Sequence, residues 1–112
     1  MDQDLEKALE FANFSVTLNN QKKILKEKYQ EDLVLFYANG MFKVTYELYN
    51  FVHSLNSDKT IVVDDNDTPI VIEDLEDFKE KVKFTYSDAT NKYFDSYQKL
   101  TKQRSVGKLV ND

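Results

Sequence analysis

A chain of 112 residues with a formal net charge of −5 is long enough for one domain with a buried core, and its charge disfavours general binding to nucleic-acid phosphate. Cysteine is absent, which excludes disulfide bridges and thiolate chemistry. The sequence shows neither a secretory signal nor an apolar run of the roughly 18 residues that span a bilayer, so we expect a soluble cytoplasmic protein that has no contact with membranes.

The first predicted element is a long helix over residues 4–29, in which two apolar stripes recur at helical spacing. One stripe consists of Leu5, Leu9, Ala12 and Val16, and the other of Phe11, Phe14, Leu18 and Leu25. Because a single neighbouring helix does not cover both stripes, we expect the second one to bind a partner protein or another copy of the chain. The mixed segment 15–20 leaves open whether the helix is continuous.

An Asn-Gly pair then predicts a β-hairpin with strands at 34–37 and 41–44. Asn39 and Gly40 suit the two central positions of a type I′ turn, where the backbone angle φ must be positive. Thr45 follows as the predicted N-cap of a short helix over 46–55.

A second hairpin is predicted at 60–63 and 70–72, and an acidic segment connects its strands. Pro69 cannot donate a hydrogen bond to a neighbouring strand, so it suits the start of a strand. Asp64, Asn66 and Asp67 are weak candidate metal ligands. Calcium loops of the EF-hand type need glycine where Pro69 stands and glutamate where Leu75 stands. Asp, Asn and Pro are typical turn residues, so we interpret this segment as a turn and predict no metal and no cofactor.

The C-terminal third of the chain has the most regular pattern and predicts a long helix that begins after an N-cap at Asp74. Apolar residues recur every three or four positions: Leu75, Phe78, Val82, Tyr86, Ala89, Tyr93, Tyr97 and Leu100. Since Gly107 weakens a continuing helix, we predict that residues 104–112 form a mobile tail that orders on a partner. Its candidate contact residues are Arg104, Val106 and Leu109.

The predicted fold is therefore a single α+β domain over residues 1–112 with the order α-ββ-α-ββ-α and with its two long helices packed antiparallel. Catalysis has little support. His53 is the only histidine, and neither a cysteine nor a second histidine is present to act with it. Ser54 would point about 100° away from His53 on a helix. We predict no catalytic residue and no enzymatic activity.

Three segments, "LNNQKKILKEKY", "DDNDTPIVIEDLEDF" and "RSVGKLV", resemble short proteins of large tailed bacteriophages of the myovirus type. The resemblance implies a role in virion or tail assembly or in handling a host protein, within the host cytoplasm or the virion. It implies no catalytic residue.

The expected function is a non-enzymatic protein–protein interaction module, an assembly or chaperone-like accessory protein. The alternative is a regulator that binds nucleic acid, or an enzyme acting on nucleic acid, through the tail and a basic cluster on the first helix. That cluster consists of Lys22, Lys23, Lys26 and Lys28.

Overall fold

The computed structural model describes residues 2–111, and the side chains of residues 2–103. The order of its elements confirms the predicted α+β fold. They are α1 (Gln3–Asp32), β1 (Val34–Tyr37), β2 (Gly40–Lys43), α2 (Tyr46–Ser54), β3 (Thr60–Val63), β4 (Pro69–Ile72) and α3 (Leu75–Asn111). The chain forms two compact units: a helical unit of residues 2–28 and 93–111, and a hairpin unit of residues 29–92. Within the described residues, no helix combines the length and the apolar character that crossing a membrane requires.

The hairpin unit contains the buried core. Its members come from both hairpins, from α2 and from the first half of α3: Leu33, Phe42, Val44, Val52, Val62, Ile70, Ile72, Leu75, Phe78, Val82 and Ala89. Phe78 lies near the centre, with its ring centroid 4.9 Å from that of Tyr37 and 5.1 Å from that of Phe42. Alternate residues of β4 enter the core, as a half-buried sheet requires.

The first hairpin forms where the Asn-Gly pair predicts it, but its turn lies one residue earlier. Tyr37 pairs with Gly40, so the central residues are Ala38 and Asn39, whose φ angles are 51° and 68°. Gly40 belongs to β2, and a Cβ atom there would lie 2.8 Å from Cγ1 of Ile70. Close packing between the hairpins, rather than the turn, therefore requires glycine at this position.

Side-chain N-caps mark the starts of α2 and α3. Oγ1 of Thr45 accepts the amide of Leu48 at 3.1 Å, which confirms the predicted N-cap of α2. Oδ1 of Asp74 accepts the amide of Asp77 at 3.1 Å, as expected for the N-cap of α3. These short polar side chains satisfy amides that have no partner inside their helices.

The two long helices run antiparallel, as predicted, and α1 is continuous through residues 15–20. In the helical unit, Nζ of Lys22 lies 5.5 Å from the ring centroid of Tyr97. In the hairpin unit, the Tyr29 hydroxyl lies 2.8 Å from Oγ1 of Thr90. Later residues of α1 thus contact earlier residues of α3.

Candidate interaction surfaces

The acidic turn of the second hairpin is organised around the Asp64 carboxylate, which is 6% exposed. Its Oδ2 accepts the amide of Met41 at 3.0 Å, and its Oδ1 accepts the amides of Asn66 and Thr68, each at 2.9 Å. The Met41 amide contributes most to lowering the pKa of Asp64, followed by that of Thr68, because these donors favour the ionised carboxylate. The Asp64 carboxylate therefore has a structural role, as the acceptor of three backbone hydrogen bonds.

The other two weak candidate ligands, Asn66 and Asp67, are exposed on this turn. Asp67 has a φ of 60°, a conformation that Asp adopts more readily than most residues. Among the described residues, no group of three or more His, Cys, Asp or Glu side chains is arranged to hold a metal ion.

His53 and Ser54 both bond to carbonyls of their own helix. The His53 ring stacks on Tyr49 with a centroid distance of 4.2 Å, and its Nδ1 lies 3.0 Å from the Tyr49 carbonyl oxygen. The Ser54 hydroxyl donates to the carbonyl of Phe51 at 2.6 Å. The two side chains therefore do not bond to each other.

Tyrosine hydroxyls connect α1, α2 and α3 inside the hairpin unit. The hydroxyls of Tyr46 and Tyr86 lie 2.8 Å apart, and a hydroxyl pair between Tyr29 and Thr90 has the same separation. The bond to Tyr46 contributes most to raising the pKa of Tyr86, followed by burial. These tyrosines stabilise helix packing, which is a structural use of groups that could otherwise stack on nucleic-acid bases.

The exposed apolar surface of α1 lies opposite its contact with α3. Phe14, Leu18 and Leu25 are half-buried, and Phe11 is 62% exposed. We use the name α1 stripe for the first apolar set, Leu5, Leu9, Ala12 and Val16. Leu9 and Leu18 are nine residues apart, which places them about 180° apart around a helix. Leu5, Leu9 and Val16 are 50%, 47% and 58% exposed.

One member of the basic cluster lies beside a groove in the helical unit: Lys28 is four residues after the lining residue Ile24, whereas Lys23 and Lys26 project to the other side of α1. Lys23, Lys26 and Lys28 are exposed. The interhelical groove has a volume of about 420 Å³ and is lined by Gln21, Ile24, Leu25, Ser96, Lys99, Leu100 and Gln103. It combines apolar side chains with a lysine. The tail residues Arg104, Val106 and Leu109 lie outside the residues whose side chains are described.

The second hairpin exposes an apolar face that the sequence analysis did not identify as a site. Ile61 pairs with Val71 and Val63 pairs with Pro69 on the side away from the core. We call these four residues the β3–β4 outer face. The signal is present in the sequence, because "TIVV" and "PIVI" do not alternate with polar residues as strands with one solvated face do.

Comparisons with known proteins add no relationship: no family model, curated protein or solved structure matches this chain.

Proposed function

We propose that this protein is a non-enzymatic interaction module that binds a partner protein during the assembly of a larger structure. The observation that carries the proposal is the exposed α1 stripe. Helix α1 has 30 residues and no fully buried side chain, yet Leu5, Leu9 and Val16 present large apolar groups to solvent. Contiguous apolar surface of this kind is typical of interaction sites.

The spacing of the α1 stripe favours a helix as the binding element of the partner. Its members are separated by four, three and four residues, which is the repeat of a coiled-coil seam. Ala12 is small and permits close approach between helix backbones. Burying a leucine or valine side chain contributes about 1.5–3 kcal/mol when the side chain is fully covered, and the half-exposed members of the stripe supply part of that amount.

The opposite side of α1 supports the same proposal. Phe14, Leu18 and Leu25 are already half-buried, so a partner on the α1 stripe does not compete with the packing between α1 and α3. An assembly role agrees with what the resemblance to tailed-phage proteins implies, and a chaperone-like role would use the same surface.

Site-specific photo-crosslinking tests the proposal in the cells that make this protein. A photoreactive amino acid at Val16 should give a discrete crosslinked product, and Leu9→Glu in the same chain should abolish that product. The matched control carries the photoreactive group at Phe84, which is 67% exposed on α3. Equal crosslinking from both positions, or a product that Leu9→Glu leaves unchanged, would contradict the proposed contact face.

The second candidate function is nucleic-acid binding, which the basic cluster on α1 favours. Residues 21–28 contain four lysines and one glutamate. A fluorescent single-stranded oligonucleotide is the direct probe, because phosphate contacts make binding fall steeply as salt increases. Binding that Lys23→Gln and Lys26→Gln weaken, and that Leu9→Glu leaves unchanged, would favour this function over the first.

A further inference from the structure

We infer that the β3–β4 outer face of one molecule docks in the interhelical groove of a second copy, so that the protein associates head to tail. The inference rests on the proposed function, since it names a second copy of this chain as a partner of the interaction module. Two surfaces carry it together. One is the β3–β4 outer face, an apolar ridge bordered by carboxylates. The other is the interhelical groove, which is apolar and contains Lys99.

The ridge has an apolar centre and negative surroundings. Ile61, Val63 and Val71 are 60%, 58% and 45% exposed. The surrounding segment 58–77 contains eight carboxylates and one lysine. Some of these carboxylates are used inside the hairpin unit, as Asp64 and Asp74 are, but Asp65, Asp67 and Glu73 are exposed. A partner that covers the ridge must therefore offer apolar groups bordered by positive charge.

The groove meets both requirements. Ile24, Leu25 and Leu100 supply its apolar lining, and Lys99 lies among them. Lys28 follows the lining residue Ile24 by four positions, so it lies on the same side of α1 as the groove. Among the residues whose side chains are described, those that line the groove include no carboxylate. An acidic ridge would therefore meet no like charge along this lining.

Charge also decides which pairs of surfaces can meet. Two ridges facing each other would bring two acidic rims together, and two grooves would bring together two sets of lysines, so contacts between identical faces are disfavoured. Contact between a ridge and a groove is favourable, because it brings opposite charges together. Such a contact is heterologous and leaves one free ridge and one free groove at the ends of each oligomer, so the assembly extends as concentration rises.

Two single-face variants test the inference. Val71→Asp places a carboxylate in the apolar ridge, and Ile24→Glu places one in the groove at a side chain that is 62% exposed. Sedimentation velocity over a concentration series, at about 0.05 M and about 0.5 M salt, should show wild-type mass rising with concentration and more so at low salt. Each variant alone should associate at least about tenfold more weakly.

The mixture of the two variants is the decisive sample. Ile24→Glu retains a normal ridge and Val71→Asp retains a normal groove, so one contact can form and the mixture should stop at heterodimers. Phe94→Glu, at an exposed position of α3 that does not line the groove, is the control for the helical unit and should associate like wild type. Thermal melting of every variant separates lost association from lost folding.

Several outcomes would overturn the inference. They are a wild-type protein that stays monomeric across the series, variants that associate like wild type, and a mixture that associates no better than either variant alone. If Leu9→Glu abolishes self-association while Val71→Asp and Ile24→Glu do not, the copies meet through the α1 stripe. That result would reject head-to-tail docking and retain the proposed function. Crosslinking from Val16 tests the proposed function separately.

Discussion

The backbone amide of Met41 donates to the carboxylate of Asp64 at 3.0 Å, and this bond joins the two hairpins. The carbonyl of Met41 accepts the amide of Asp65 at 2.9 Å, so both polar backbone groups of one residue at the edge of β2 bind the turn of the second hairpin. Each hairpin forms a sheet of only two strands, which is marginal in isolation. The link through Met41 and Asp64 therefore stabilises both.

Asp64→Asn should lower the melting temperature by about 5–10 °C, because the amide group cannot accept hydrogen bonds at both of its terminal atoms. Three backbone amides point at the carboxylate, and one or more of them would lose an acceptor. Asp65→Asn is the control, since Asp65 is exposed on the same turn. Equal melting temperatures for the two variants would show that the Asp64 carboxylate contributes little.

The same carboxylate should make the free energy of unfolding depend on pH in the acidic range. Its pKa in the folded protein is below the ordinary value of 3.8, so the ionised form is favoured by folding. The contribution is complete above the unfolded pKa and is lost as pH falls through the folded pKa. Denaturant unfolding between neutral pH and strongly acidic pH should therefore show a steeper loss of stability for wild type than for Asp64→Asn. Parallel curves would contradict this assignment.

Gly40→Ala should destabilise the protein by about 1–3 kcal/mol, because the added Cβ would lie 2.8 Å from Cγ1 of Ile70 and 2.9 Å from Cε2 of Phe42. Denaturant unfolding measures the loss. The matched test repeats the substitution in an Ile70→Ala background, where the closest contact is absent and Gly40→Ala should cost less. The same cost in both backgrounds would mean that the Phe42 ring, rather than Ile70, excludes a Cβ atom at this position.

The helices and strands could be predicted from the sequence because the interactions that start and end them involve residues close together in the chain. The caps at Thr45 and Asp74 are of this kind. The turn of the first hairpin was misplaced by one residue because the reason for Gly40 is a contact with Ile70, thirty positions away. The two stripes of α1 are similarly apolar, so sequence alone could not decide whether Leu9 or Leu18 would lie toward α3. Asp64 was placed in a turn, but its bond to Met41 depends on the arrangement of both hairpins.

Ala38→Gly should raise the free energy of unfolding by about 1 kcal/mol. Ala38 has a φ of 51°, in the left-handed region, where its Cβ is unfavourable and glycine has no penalty. Chemical denaturation measures the change. Ala38→Val tests the same cause in the opposite direction, because a β-branched side chain is still less favourable at positive φ. A destabilised glycine variant would show that the alanine side chain makes a contact that outweighs the backbone strain.

Tyr37 should titrate well above the ordinary range of tyrosine as the solution is made alkaline. Burial contributes most to raising its pKa to about 12, followed by its hydrogen bond to Asp77. The hydroxyl donates to Oδ2 of Asp77 at 2.8 Å, and ionisation would remove that donor beside a carboxylate. An ultraviolet difference titration of wild type against Tyr37→Phe isolates this transition. Asp77→Asn should shift it to lower pH, because the negative charge is removed.

The raised pKa of Tyr37 also predicts alkaline destabilisation. An unfolded tyrosine ionises near its ordinary value of 10.0, whereas the folded one remains neutral until about 12. The stability that Tyr37 contributes is complete below 10.0 and is lost as pH rises through the folded pKa. Tyr37→Phe should cost about 1 kcal/mol near neutral pH, from the lost hydrogen bond, and progressively less than that as pH rises through this window. A cost that stays constant from neutral to alkaline pH would show that folding does not raise the pKa of Tyr37.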